Sequence, residues 1–138
     1  MLAELARIFK EKSSAEPHQD VLLKDDAKLC NLLNIREQIA FNTYLSLPEE
    51  GGELELWNWK PTEEEYKKFI HADPNLSYAL DRDKIKPPVI TYKPKLGEFL
   101  LFNPRFIHAV RPSHGLQRLS ISAFIGYSGN NEKLTVWS

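Results

Sequence analysis

QIAFNTYLSL (38–47), PEEGG (48–52) and ELELWNW (53–59) form the stretch whose reading decides the fold. In the first run Ile39, Phe41, Thr43 and Leu45 alternate with Ala40, Asn42, Tyr44 and Ser46. In the last, Leu54, Leu56 and Asn58 alternate with Glu55, Trp57 and Trp59. A period of two marks strands, because successive side chains leave a strand on opposite faces. Pro48 and Gly51-Gly52 mark a turn between them, so the two runs read as a hairpin.

Working outward, Val89–Tyr92, Glu98–Phe102, Ile107–Val110, Arg118–Tyr127 and Leu134–Trp137 read as further strands, with a turn at Lys95-Leu96-Gly97-Glu98. Short apolar runs separated by prolines and turn residues predict a mainly β sandwich or barrel with one or two short helices. Residues 3–10 fit either a short helix or a first strand, 15–23 lead into a loop, and 24–34 hold a helical turn. Pro61, Thr62 and three glutamates begin a helix running through Phe69 to His71. Residues 72–88, with three prolines, form a long connection of the kind that serves as a lid or substrate loop.

The 138 residues, 42% of them hydrophobic, suffice for one domain with one core, residues 1–138. Acids and bases are mixed to a net charge of −1, which marks no nucleic-acid groove and no membrane-binding face. No apolar run approaches the roughly 20 residues that span a bilayer. The N-terminus lacks the apolar stretch of a secretory signal. The single cysteine, Cys30, has no internal disulfide partner; a reducing, cytoplasmic setting follows, with Cys30 as a small buried hydrophobe.

Three separated pieces carry the chemistry: His18-Gln19-Asp20, His108 and Arg118-Leu119-Ser120. On extended backbone, His18 and Asp20 leave the same face. Two imidazoles and a carboxylate occupy one face of an octahedral Fe(II) and leave the other for an organic chelate and O2. Arg118, ten positions after His108, offers a fork for a distant carboxylate. Each piece alone has a plainer reading: the H-x-D triplet fits a solvated loop, and His108 between apolar neighbours fits a core histidine. Their conjunction points to a site. His71 and His114 read as surface residues, and Arg105 and Arg111 as solvated strand ends or contacts to an anionic substrate.

With Tyr44-Leu45, Glu50-Gly51-Gly52-Glu53-Leu54 and Gly97-Glu98-Phe99-Leu100-Leu101-Phe102, these pieces stand in the order found in the Fe(II)/2-oxoglutarate-dependent oxygenases. The chain resembles that family across nearly its whole length. Asn42 to Trp59 and Asn130 to Ser138 look more like the branch containing halogenases of free alkaloids. The resemblance implies a double-stranded β-helix, a jelly roll related to the cupins. It further implies iron on His18, Asp20 and His108, and the 2-oxoglutarate C5 carboxylate on Arg118 with Ser120 as a second donor. Tyr44, Trp57 and residues of 72–88 are expected to line the pocket of a small-molecule substrate. The implied reaction hydroxylates a C–H bond and converts 2-oxoglutarate and O2 to succinate and CO2.

Two departures stand out. Family members carry a helical layer before the core, whereas this chain begins almost at the barrel, as a small member, a truncated core or a partial product would. A sheet face left bare in this way calls for a second copy or another partner to cover it. Halogenases of the branch have Gly or Ala where Asp20 stands, so hydroxylation is favoured over halogenation. Two further readings remain: a cupin-type metal enzyme without 2-oxoglutarate, which gives Arg118 no role, and a jelly-roll binding or scaffold domain with a vestigial site.

Overall fold

The computed structural model describes residues 5–22, 26–32 and 34–138. Residues 1–4, 23–25 and 33, which include the start of the ambiguous 3–10 stretch, the end of the 15–23 lead and part of the helical turn expected at 24–34, lie outside the described residues. Two antiparallel sheets face each other. The larger has the order β1 (Leu5–Phe9), β10 (Arg118–Tyr127), β3 (Glu37–Ser46), β7 (Phe99–Phe102), with β11 (Thr135–Trp137) also on β10. The smaller has the order β2 (Ala15–His18), β8 (His108–Val110), β5 (Leu54–Leu56), β6 (Ile90–Tyr92). A two-stranded ribbon joins β4 (Glu50–Gly51) to β9 (Ser113–His114). This is the expected jelly-roll arrangement.

The expected hairpin does not form. β3 pairs with β10 and β7, whereas β5 pairs with β8 and β6, so the two alternating runs lie in different sheets. The turn between them carries the chain across the sandwich. Gly51 and Gly52 adopt φ +74° and +71°, where side chains are disfavoured. A Cβ on Gly51 would sit 1.9 Å from the Pro112 carbonyl oxygen, so only glycine admits the β4–β9 crossing. Period two defined each strand, but pairing partners are a tertiary property.

Residues 5–9 are a strand because β10 offers them an edge to pair with, from Leu5 opposite Ser122 to Phe9 opposite Arg118. Residues 15–18, expected as part of a loop, form β2 on β8. Helix α1 (Ala27–Leu32) falls in the expected stretch. Helix α2 (Glu63–Lys68) starts at a capping box: Thr62 Oγ1 accepts from Glu65 N at 3.2 Å, and Thr62 N donates to the Glu65 carboxylate at 2.8 Å. It stops short of the expected His71, because His71 N donates to Ala79 O and Ile70 bridges Leu80. Tertiary pairing takes these residues out of the helix. Two short 3-10 turns, Pro74–Leu76 and Arg82–Lys84, follow.

The 60–88 insert lies on the outer side of the smaller sheet. Trp57, Leu80, Ile107 and Ala109 form a buried cluster there, with Trp59, Tyr66, Phe69 and Ile85 packed around it. Leu80 N donates to Pro17 O at 2.7 Å, and Arg82 pairs with Glu55 (2.6 Å) and Glu16 (3.6 Å). Arg111 pairs with the same buried Glu55 at 2.7 Å, which places it at a structural ion pair and away from the site. His114 is exposed as expected, and His71 is half-buried.

The register also assigns the two faces of the larger sheet. Ile8, Ile39, Leu45, Phe99, Leu101 and Val136 share its outer face, and all six are exposed. Phe99 and Leu101 are 65% and 63% exposed. The inner face carries Ala40, Asn42, Tyr44, Arg118, Ser120 and Ser122. Among the described residues, no helix is long and apolar enough to cross a membrane.

Candidate metal centre and its cavity

The β2–β8 register sets His18 directly opposite His108. Cross-strand partners have Cβ atoms about 5 Å apart, which suits two ligands of one ion. The two rings lie 4.4 Å apart between centroids, tilted by 49°. Asp20 follows where its backbone N donates to Pro104 O at 2.9 Å. Its Oδ1 lies 3.8 Å from His18 Nε2 and its Oδ2 3.5 Å from His108 Nε2. One ligand atom from each of the three side chains falls within 4.8 Å of the others.

Both imidazoles are oriented in the same way. His18 Nδ1 lies 2.7 Å from Glu16 O, and His108 Nδ1 lies 3.0 Å from Phe106 O. A carbonyl can only accept, so each Nδ1 carries the proton and each Nε2 lone pair faces the centre. Burial, and secondly the neighbouring His108 ring, lower the His18 pKa and keep that ring neutral, as a ligand must be. Burial pushes the Asp20 pKa up, but the adjacent His108 and His18 imidazoles and, last, the Arg7 guanidinium outweigh it. The net shift is downward, so Asp20 is held as carboxylate. The ring edges of Phe102 against His108 (5.1 Å) and Tyr78 against His18 (5.7 Å) complete the walls.

Arg118 lines the same cavity as His18, Asp20 and His108. It is 3% exposed, with its guanidinium 4.8 Å from the ring centroid of Phe9 and 5.1 Å from that of Tyr44. Ser120 lies opposite Tyr44 across the β10–β3 ladder. Arg118 Nε and Nη1, Tyr44 Oη and Ser120 Oγ are buried without a hydrogen-bond partner. An unpaired buried cation and two unpaired hydroxyls cost several kcal/mol together. Their common complement is an anion with several acceptor oxygens. Burial lowers the Arg118 pKa, an effect the neighbouring Tyr44 partly offsets, and burial raises that of Tyr44, which keeps the phenol protonated as a donor. These orphaned donors fit a dicarboxylate reaching from the metal to Arg118.

The structure thus brings together His18, Asp20, His108, Tyr44, Arg118 and Ser120. It does not bring Trp57 to them. Leu54 and Leu56 pair with Val110 and His108, and Leu54 lines the cavity, whereas Trp57 shares the opposite face with Glu55. Its indole N–H donates to Lys86 O, and its ring belongs to the outer cluster. The strand parity visible in the sequence already separates Trp57 from Leu56. Of the 72–88 connection, Tyr78 reaches the centre. Arg7 and Phe9 also line the cavity, and sequence reasoning missed both. Only a strand assignment of residues 5–9 gives them a common inward face.

Residues 7–138 match the family described as carrier-protein-independent halogenase WelO5. The L-gamma-glutamyl-L-propargylglycine hydroxylase of Streptantibioticus cattleyicolor is 35% identical over 104 residues, covering 73% of this chain and 36% of that protein. The leucinostatins biosynthesis cluster protein S of Purpureocillium lilacinum is 33% identical over 99 residues, covering 67% of this chain and 39% of that protein. The chain therefore spans well under half the length of these curated relatives. In fold, it is similar to an N-substituted L-amino acid dioxygenase of Burkholderia ambifaria at TM-score 0.69 and 16% identity, over 99% of this chain and 52% of that one. The same enzyme in complex with alpha-KG gives a TM-score of 0.64, again at 16% identity, over 99% of this chain and 52% of that one. The chain belongs to the family of the carrier-protein-independent halogenase WelO5, a branch of the Fe(II)/2-oxoglutarate-dependent oxygenases.

Proposed function

We propose that this chain forms the catalytic core of a non-haem Fe(II)/2-oxoglutarate-dependent dioxygenase that hydroxylates a C–H bond of a small molecule. The observation that carries it is the sharing of one cavity by a His-Asp-His cluster and a set of orphaned buried donors on Arg118, Tyr44 and Ser120. A cupin-type enzyme or a vestigial scaffold leaves those donors without a purpose. His18, Asp20 and His108 would hold the metal, and Arg118 with Tyr44 and Ser120 would hold the distal carboxylate of 2-oxoglutarate. When bound, iron, 2-oxoglutarate and O2 supply the oxidising chemistry, with succinate and CO2 as co-products. The protein orients the ligands through the Glu16 and Phe106 carbonyls and shields the site with Phe102 and Tyr78.

The names of two relatives, a hydroxylase of a γ-glutamyl dipeptide and a dioxygenase of N-substituted L-amino acids, support an amino-acid-derived substrate. The family description raises halogenation as a second reading. Asp20, 3.5 and 3.8 Å from the two ligand nitrogens, fills the position that a halide would need. Hydroxylation is therefore the reading kept. The proposal includes a cytoplasmic location, on the strength of the single unpaired cysteine. It also includes a second copy of the chain on the apolar outer face of the larger sheet, since a patch of this kind marks an interaction surface.

Anaerobic titration with Fe(II) and then 2-oxoglutarate tests the core of the proposal. A weak visible charge-transfer band that needs both additions is expected. Iron binding with no response to 2-oxoglutarate would move the assignment to the cupin reading. Product mass in chloride buffer tests the reaction: a chlorinated product from the wild type would reverse the choice made on Asp20.

A further inference from the structure

We propose that Arg7 binds a carboxylate of the primary substrate, so that the enzyme acts on anionic amino-acid derivatives. This rests on the function proposed above and assigns a substrate-binding residue to it. Arg7 lies on β1 opposite Ser120, one inward position from Phe9, which covers the Arg118 guanidinium. Strand parity gives Arg7 the same inward face as Phe9. Both line the cavity that holds the metal cluster and Arg118. That cavity is lined by Arg7 together with His18, Asp20 and Arg118, so its side chain borders both the metal centre and the buried guanidinium.

The charges of the cavity give Arg7 its task. Asp20 is the single acidic side chain lining it among the described residues. That carboxylate faces the two metal-binding nitrogens. A divalent iron, Asp20, the two carboxylates of 2-oxoglutarate and Arg118 balance one another with no charge left over. Arg7 is then the remaining cation, and among the described residues no acidic side chain forms an ion pair with it. Being exposed where Arg118 is buried, it suits a ligand that enters after 2-oxoglutarate and leaves each cycle. A guanidinium grips a carboxylate through two parallel N–H donors, a contact that an amide or ester cannot match.

The test uses the full chain loaded with Fe(II) and 2-oxoglutarate. N-acetyl-L-amino acids and γ-glutamyl dipeptides are supplied beside their primary amides, and succinate release is followed. Acids are expected to stimulate turnover at concentrations where their amides do not. Arg7→Gln should raise the KM for the stimulating acid about 10- to 100-fold, the loss expected for one charged hydrogen-bonded contact. The 2-oxoglutarate affinity and the saturated rate should stay close to wild type, and Arg7→Lys should restore part of the KM. Amides equal to acids, silence toward every acid, or an unchanged KM in Arg7→Gln would overturn the assignment. A fall in 2-oxoglutarate affinity in Arg7→Gln would overturn it too, by placing Arg7 in the co-substrate clamp. Absence of the iron- and 2-oxoglutarate-dependent band in the wild type would instead strike at the underlying function.

Discussion

The two faces of the larger sheet reverse the usual order of a soluble protein. Its inner face presents Asn42, Tyr44, Arg118, Ser120 and Ser122 to the space between the sheets. Its outer face presents Ile39, Leu45, Phe99 and Leu101. The smaller sheet behaves differently: its outer face buries Trp57, Ile107 and Ala109 under the 60–88 insert. A sheet interior that mixes hydroxyls, an amide and a guanidinium with Ala40, Phe102 and Phe124 is a weaker hydrophobic core, so it stabilises less and recognises more. Cohesion is displaced to the far side of the other sheet, where the sole buried cluster of apolar side chains among the described residues lies. The difference separates where this molecule is held together from where it would act.

The sharpest way to break that separation is at the ligands. His18→Ala and His108→Ala should each abolish Fe(II) binding, since each removes one of three protein ligands, while shifting the unfolding midpoint little. Calorimetric titration with Fe(II) beside a denaturant curve reads both quantities. Wild-type affinity in both variants would remove the site assignment.

Trp57→Ala should do the opposite. Truncating a buried tryptophan costs about 3–5 kcal/mol, read as a lower denaturation midpoint, with iron and 2-oxoglutarate affinities near wild type at temperatures where the variant is folded. Loss of 2-oxoglutarate affinity at unchanged stability would return Trp57 to the pocket from which the strand parity excludes it.

Arg118→Lys replaces the planar fork by a point charge. It should weaken 2-oxoglutarate binding by roughly 1.5–3 kcal/mol, one to two decades, and leave Fe(II) affinity nearly unchanged. The anaerobic visible band, titrated with 2-oxoglutarate, gives the value directly.

Tyr44→Phe is the smallest change and the finest probe. The hydroxyl is buried with no partner, so removing it should leave the unliganded chain as stable as before or about 1 kcal/mol more stable. With 2-oxoglutarate present the sign should reverse, because the donor now has an acceptor. A loss of stability without the ligand would show that the hydroxyl is already satisfied.

Much of the site was legible in the sequence because its parts are local. The i, i+2 spacing of His18 and Asp20 and the ten-residue interval from His108 to Arg118 are visible without a fold. So was the alternation that puts Tyr44 and Trp57 on strands. Which strand joins which sheet was not. The hairpin expected for residues 38–59 fails because the Gly51-Gly52 turn leads across the sandwich, and a turn's direction depends on what waits on either side. Trp57 was lost to the pocket for the same reason: parity orders the side chains of a strand, but which parity faces inward depends on the sheet opposite.

Composition and period thus determined by themselves a mainly β chain and the residue types of an oxygen-activating centre. Only the tertiary structure decided that His18 stands across from His108, that Glu16 and Phe106 carbonyls turn both rings, and that Arg7 joins Arg118 over one cavity. The physical reason lies in the range of the forces. Side-chain alternation and turn chemistry act over a few residues along the chain. Register, burial and charge act between segments that the sequence keeps about ninety positions apart and that only the paired sheets bring within a few ångströms.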